Sequence, residues 1–147
     1  MANTTQTWNF YNSFKERMAD GTIDMDDASA GYFSVLLTTS AYTPSAAHTV
    51  IGDITNELAG NGYARQSLTS TSWSESGGTV TFDAADVVFT ASGGDLTARY
   101  YVIFADGSSN DSLVGYGLLD NTPADVTTSD GNTLTLAWNA SGIFTLA

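Results

Sequence analysis

The side chains that could carry out chemistry in this chain are almost all carboxylates. Its 147 residues include 16 Asp and Glu, four Lys and Arg, one histidine and no cysteine. A chain without cysteine has no disulfide, no thiolate zinc site and no cysteine nucleophile. One histidine cannot build a multi-histidine metal site. We therefore interpret His48 as an exposed loop residue.

Two oxygen-rich segments invite a calcium hypothesis. Asp24, Asp26 and Asp27 lie in a polar connector, and a second such segment runs from Asp106 to Asp111. Calcium prefers oxygen ligands. The glycine and the bidentate glutamate of an EF-hand loop are missing at their spacings. We expect both segments to be turns, and we predict no metal and no cofactor.

Asp83 and Asp86 flank two alanines and could be paired carboxylates, as in a small glycosidase. Acid and base catalysis requires one carboxyl group with a perturbed pKa in a cleft. Nothing in this spacing indicates such a group, so we interpret both as solvated turn residues. We predict no catalytic residue, and we predict that the chain is not an enzyme.

Sugars are a third possible ligand. Asn3, Asn110 and Asn139 each begin a glycosylation sequon, but no secretory signal is visible, so we expect no attached glycan. Tyrosine and tryptophan side chains could stack on a bound sugar. Most of these aromatic residues lie at positions with the periodicity of a core, which favours packing over sugar binding.

The net charge of −12 restricts the partners. Binding to nucleic acid requires clustered Lys and Arg that displace counterions, and an anionic membrane repels a strongly acidic chain. No apolar run approaches the roughly 20 residues that span a bilayer. We therefore expect neither nucleic acid nor membrane as a partner.

Two segments have the apolar spacing of helices. The first predicts an α-helix over residues 8–20 that ends at Gly21, preceded by a flexible arm at residues 1–7. The second predicts a short helix after Thr49. The apolar positions that carry the two patterns are Trp8, Tyr11, Phe14 and Met18, and then Val50, Ile51, Ile54 and Leu58.

From about residue 30 the pattern is that of short strands separated by Gly, Asp, Asn and Ser turns. The turn spacing predicts one mainly β domain, an antiparallel β-sandwich of jelly-roll type over residues 30–147 with the helix beside it. The predicted strands are 32–38, 63–69, 79–82, 87–91, 96–104, 113–119, 132–138 and 143–146.

The order and spacing of many short segments resemble those of small virion proteins of tailed bacteriophages. The resemblance covers nearly the whole chain from about Phe10. The matching segments are FYNSFK at 10–15, GTID at 21–24, VLLTTS at 35–40, YTP at 42–44, TNE at 55–57, GNGY at 60–63, FDAADV at 82–87, LTARYYV at 96–102, LVGY at 113–116, LAW at 136–138 and GI at 142–143.

This resemblance implies a structural component of a phage particle. The first expectation is a capsid decoration or cement protein, made in the host cytoplasm and bound to the major capsid protein on the outside of the head. We expect a homo-oligomer, with a trimer as the candidate form. The alternative is a tail, baseplate or fibre component that binds a receptor or glycan. We expect the arm at residues 1–7, which lacks apolar content, to become ordered on the partner.

Overall fold

The computed structural model describes the backbone of residues 2–4 and 8–147 and the side chains of residues 8–147. These residues form short strands, one α-helix and one 3₁₀ turn. In chain order they are β1 Ala2–Thr4, β2 Trp8–Phe10, α1 Asn12–Ala19, β3 Phe33–Thr38, the 3₁₀ turn Ile51–Asp53, β4 Gln66–Ser67, β5 Ser72–Ser76, β6 Thr79–Asp83, β7 Val87–Thr90, β8 Leu96–Ala98, β9 Tyr100–Ala105, β10 Ser112–Leu118, β11 Val126–Thr128, β12 Thr133–Ala137 and β13 Phe144–Leu146.

Four sheets make up the β-structure of these residues. The largest has the strand order β2-β10-β9-β3-β4 and is antiparallel throughout. The others have the orders β1-β12-β7, β13-β6-β5 and β11-β8. The sheets pack together in a sandwich-like arrangement with α1 near the N-terminus. The predicted mainly β fold with antiparallel sheets and an N-terminal helix is confirmed.

The five-stranded sheet is covered on both faces. Side chains alternate between the two faces of a strand, so a strand that is buried at every position has cover on both sides. All six residues of β3 are buried. Val35 and Leu37 belong to the main core, which includes Phe82 from β6 and Phe89 from β7. Leu36 belongs to a second, smaller core on the opposite face.

The second core is closed by the segment that follows β3. Tyr42, Ile51 and Ile54 of this segment pack against Leu36 and Val102 of the sheet. This segment is a loop with one 3₁₀ turn. Its apolar side chains can therefore follow the shape of the sheet surface and do not have to lie on one face of a helix. We call residues 39–57 the covering segment.

The predicted helix boundaries were wrong at the N-terminal end. Residues 8–10 form β2, which pairs with β10, and the helix begins only at Asn12. In a strand, Trp8 and Phe10 point to the same face. Both pack against Phe144 of the main core, with ring centroids 5.2 and 4.9 Å away. Helical geometry would separate these two side chains, and so the sheet pairing overrides the apolar stripe.

The predicted second helix is reduced to the 3₁₀ turn Ile51–Asp53. Its apolar residues serve two different cores: Ile51 and Ile54 pack in the second core, whereas Leu58 belongs to the main core. One helical face cannot supply both. The chain therefore leaves the turn in extended form, and the Leu58 N–H donates to the Leu37 carbonyl oxygen at 2.9 Å.

Most of the predicted strands are confirmed, but one is divided, one (63–69) is shortened to β4 Gln66–Ser67, and further strands were missed. The predicted strand 96–104 is divided at Arg99 into β8 and β9, which lie in different sheets. The strands β5 and β11, which are rich in Ser and Thr, were not predicted. Three residues of the predicted arm, Ala2–Thr4, pair in parallel with β12. The rest of that arm, residues 1 and 5–7, lies outside the described residues.

In the described part of the chain, no helix combines the length and apolar character that a bilayer crossing requires.

Candidate functional site

His48 belongs to a hydrogen-bonded aromatic network, so its interpretation as an exposed histidine was wrong. It is half-buried, and its Nδ1 lies 3.0 Å from the Tyr42 hydroxyl. The Tyr42 hydroxyl also lies 3.1 Å from the buried Tyr11 hydroxyl. The three side chains connect the residue before α1 to the covering segment. The network thus fastens this loop over the second core.

Burial favours the neutral form of the two tyrosines in this network. Desolvation is the main cause that raises the pKa of Tyr11, and the hydrogen bond with Tyr42 adds to it. Burial also raises the pKa of Tyr42. Both hydroxyls therefore remain protonated at neutral pH, as suits a structural tie.

The aspartates of the first predicted turn segment bind their own backbone. Asp24 Oδ1 accepts the Asp26 N–H at 3.0 Å, and Asp27 Oδ1 accepts the Ser29 N–H at 2.8 Å. The hydrogen bonds from Ser29 hold the pKa of Asp27 below its usual value. No group of three or more His, Cys, Asp or Glu among the described side chains could hold a metal ion.

The segment from Asp106 to Asp111 is the turn between β9 and β10. Asp106 Oδ2 accepts a hydrogen bond from Ser34 Oγ at 3.3 Å. Asn110 and Asp111 adopt positive φ angles of 65° and 47°. Asn and Asp tolerate this left-handed region better than most residues. The polar residues of this segment are thus explained by the turn itself.

Asp83 and Asp86 have separate structural partners. Asp83 Oδ1 accepts the Ala84 N–H at 2.9 Å. Asp86 Oδ1 accepts the backbone N–H of Trp138 at 3.0 Å, and the Trp138 indole donates to the Ala85 carbonyl oxygen at 2.9 Å. The two carboxylates therefore fasten the connector between β6 and β7, each at its own point.

The sequons give no further site. Asn139 Oδ1 accepts the Ser141 N–H at 2.9 Å within a turn, and Asn110 is exposed. The side chain of Asn3 lies outside the described residues.

All three arginines are engaged inside the molecule. Arg65 makes a bidentate pair with Glu57, with Nε–Oε1 and Nη2–Oε2 distances of 2.8 and 2.7 Å. Arg99 pairs with Asp125 at 2.8 Å. Arg17 donates to the Thr49 carbonyl oxygen in the covering segment. The arginines therefore hold loops in place, and Lys15 is exposed on a surface that carries many more carboxylates.

One open cleft combines an aromatic ring, thioethers and carboxylates. It has a volume of about 300 Å³ and lies between the end of α1, the connector after it and β5. Met18, Met25 and Trp73 supply its apolar lining, and Asp24 and Asp26 supply its carboxylates. We call this feature the Trp73 cleft. Its mixed lining makes it a candidate binding site.

Sequence reasoning missed the Trp73 cleft because it missed β5. Trp73 lies outside every predicted strand. It is half-buried, with ring centroids 6.4 Å from Phe82 and 6.2 Å from Phe144. The available signal was the alternation of Ser72, Trp73 and Ser74 before a Gly-Gly turn, which is typical of an edge hairpin with one inward side chain.

Comparison with known proteins finds no matching family model, no matching curated protein and no matching solved structure.

Proposed function

We propose that this chain is a non-enzymatic structural protein of a phage particle. In this role it decorates the outer surface of the head, binds the major capsid protein and stabilises the shell. It acts as a homo-oligomer, with a trimer as the candidate form. The segment order that resembles small phage virion proteins is the reason for proposing a phage particle. Three properties of the molecule support the role.

The main support for the proposal is the hydrogen bonding of the carboxylates. Most of them accept a hydrogen bond from a backbone N–H and so fix the turns between strands. Such bonds are charge-assisted and stronger than neutral ones. The carboxylates bound in this way are Asp20, Asp24, Asp27, Asp53, Glu75, Asp83, Asp86, Asp95, Asp120 and Asp130.

The double cover of the central sheet is the second support. A sheet that packs on both faces and is hydrogen-bonded along antiparallel strands resists shear, because its strands yield only together. A protein that bridges capsid subunits under internal pressure requires this stiffness. The covering segment adds a second fastening through Tyr42 and Arg17.

The negative charge of the protein surface is the third support. Because Arg17, Arg65 and Arg99 are bound within the molecule, the surface is strongly acidic. Such a surface keeps free copies apart before assembly. It favours a partner surface that is basic, and many weak contacts on a lattice accumulate through multivalency.

The test is the copy number of the chain in particles purified from a host that carries its gene. Quantitative mass spectrometry against the major capsid protein should give a fixed ratio close to the lattice count of the head. A few copies per particle would instead support the tail, baseplate or fibre alternative. Particles that lack the chain would contradict a virion role altogether.

A further inference from the structure

We propose that the Trp73 cleft binds a basic side chain, preferably arginine, that projects from a partner protein. The proposal concerns the chemistry of one contact and rests on the proposed function only in taking that partner to be a protein. It is carried by three observations: the shape of the cleft, the polar atoms in its lining and the charge around it.

The size of the cleft suits a single side chain. Its volume of about 300 Å³ lies at the lower end of the range of about 300–1,000 Å³ typical of ligand pockets. Met18 is half-buried and offers a flexible thioether that adapts to an aliphatic stem, whereas Met25 lines the cleft from the main core. Trp73 stands beside them, with its inner side against the main core. A methylene chain that ends in a charged group matches such a lining.

The polar side-chain atoms of the lining select a ligand that only donates hydrogen bonds. Asp24 and Asp26 are exposed carboxylates, which accept and do not donate when ionised. Guanidinium and ammonium groups donate and do not accept. The N–H of Asp26 donates to Asp24 Oδ1 at 3.0 Å, so the turn that carries both carboxylates is already ordered. A sugar hydroxyl both donates and accepts, so carboxylates alone use only part of its hydrogen-bonding capacity.

The indole favours a cation in the same position. A guanidinium over a tryptophan face gains from the cation–π interaction, and tryptophan is the best ring for it. The planar guanidinium also stacks on the ring and pairs with carboxylates in a fork, which an ammonium cannot do. Trp73 and the two aspartates thus provide together what arginine recognition uses.

The arginines of the chain do not compete for the cleft, and the ion pairs of the described residues include none between Lys15 and the cleft carboxylates. Arg17, which precedes the lining residue Met18, donates to the Thr49 carbonyl oxygen. Arg65 and Arg99 are paired with Glu57 and Asp125. The carboxylates at the cleft therefore face solvent without a basic partner from these arginines, and the overall charge of −12 attracts a cation to them.

The experiment follows the indole N–H signals of the full chain by NMR during titration with N-acetyl-arginine methylamide. Three tryptophans give three signals, and Trp73→Phe assigns the relevant one. We expect a saturable shift of the Trp73 signal in the millimolar range, which weakens in high salt. The Trp8 and Trp138 signals should stay in place, since these residues lie outside the cleft.

Two matched controls separate recognition from general attraction. N-acetyl-citrulline methylamide has a similar shape without the charge and should cause no saturable shift. Asp26→Asn should lower the affinity for the arginine probe about three-fold, as expected for one exposed ion pair. Asp111→Asn removes the same charge far along the chain, at a positive φ angle that Asn tolerates, and should leave the affinity unchanged.

The proposal is overturned if the Trp73 signal does not respond to the arginine probe. The proposal is also overturned if the citrulline probe shifts the Trp73 signal as much as the arginine probe does. It is overturned as well if Asp26→Asn and Asp111→Asn lower the affinity for the arginine probe equally. These outcomes are independent of the phage particle. Arginine binding by a chain that is absent from virions would refute the proposed function alone, whereas a decoration protein with an inert cleft would refute this inference alone.

Discussion

Single residues hold the loops of this protein onto its sheets, and Tyr42 is the clearest case. Its hydroxyl contacts both Tyr11 and His48. Tyr42→Phe would leave the buried Tyr11 hydroxyl without this partner. We expect a loss of about 1–3 kcal/mol in the free energy of unfolding, the usual cost of an unsatisfied buried group. Urea denaturation monitored by tryptophan fluorescence would measure it.

The control for this prediction is Tyr100→Phe. Tyr100 packs edge-on against Tyr42, but its hydroxyl has no hydrogen-bond partner in the described part of the chain. We expect its removal to change stability by less than about 0.5 kcal/mol. Equal effects of the two substitutions would show that the network around Tyr42 contributes little.

The carboxylates predict how stability depends on pH. Hydrogen bonds from Thr22, Ser29, Thr49 and Thr122 hold the pKa values of four aspartates below their usual range: Asp20, Asp27, Asp53 and Asp120. A group with a lowered pKa in the folded state contributes stability above its unfolded pKa and loses it as the pH falls through the folded value. Stability should therefore decrease below about pH 4, near the unfolded pKa of aspartate.

Urea midpoints at pH 7, 5 and 3 would check this dependence. The measurements belong in 0.5 M salt, where general repulsion among the carboxylates is screened. We expect similar midpoints at pH 7 and 5 and a lower one at pH 3. A midpoint that rises on acidification would show that charge repulsion outweighs the turn hydrogen bonds.

Among the secondary structure elements, β2 gives the sharpest prediction. A Cβ atom added at Gly115 in β10 would lie 2.1 Å from Cζ2 of the Trp8 indole. Gly115→Ala must therefore displace Trp8 or separate β2 from β10. We expect a loss of about 1–3 kcal/mol in the free energy of unfolding, as for an overpacked core. Denaturant titration and near-UV circular dichroism of the tryptophans would detect it.

Gly52→Ala is the matched control, because nothing lies within 4 Å of the added Cβ atom and no positive φ angle restrains the position. It should change stability by less than about 0.5 kcal/mol. If Gly115→Ala proved equally harmless, Trp8 would not lie over β10, and the sequence-based helix over residues 8–20 would deserve reconsideration.

The sequence could predict those elements whose local residue pattern agrees with their position in the folded molecule. The strand Phe33–Thr38 has both strong β propensity and burial, so its pattern was decisive. Trp8 and Phe10 were assigned to a helix because their spacing allowed it, and only the partner strand β10 decides otherwise. The Trp73 cleft brings β5 against the end of α1 and the connector after it; a local pattern could have indicated β5, but not that it packs beside this connector.

For the whole molecule, charge and rigidity are the properties on which the proposed role rests. Lattice attachment needs stiffness, an acidic exterior that prevents early association, and a contact that recognises a basic surface. The described residues combine a doubly covered sheet with carboxylate-fixed turns. The Trp73 cleft offers one site for such a contact. These properties suit a protein that is placed on a larger assembly and held there.

Cryo-electron microscopy of the particle tests this role most directly. We expect density for the chain on the outer surface of the head, repeated at equivalent lattice positions, with the Trp73 cleft turned toward an arginine or lysine of a neighbouring subunit. Density confined to the tail, or full heads with no density for the chain, would contradict the decoration role.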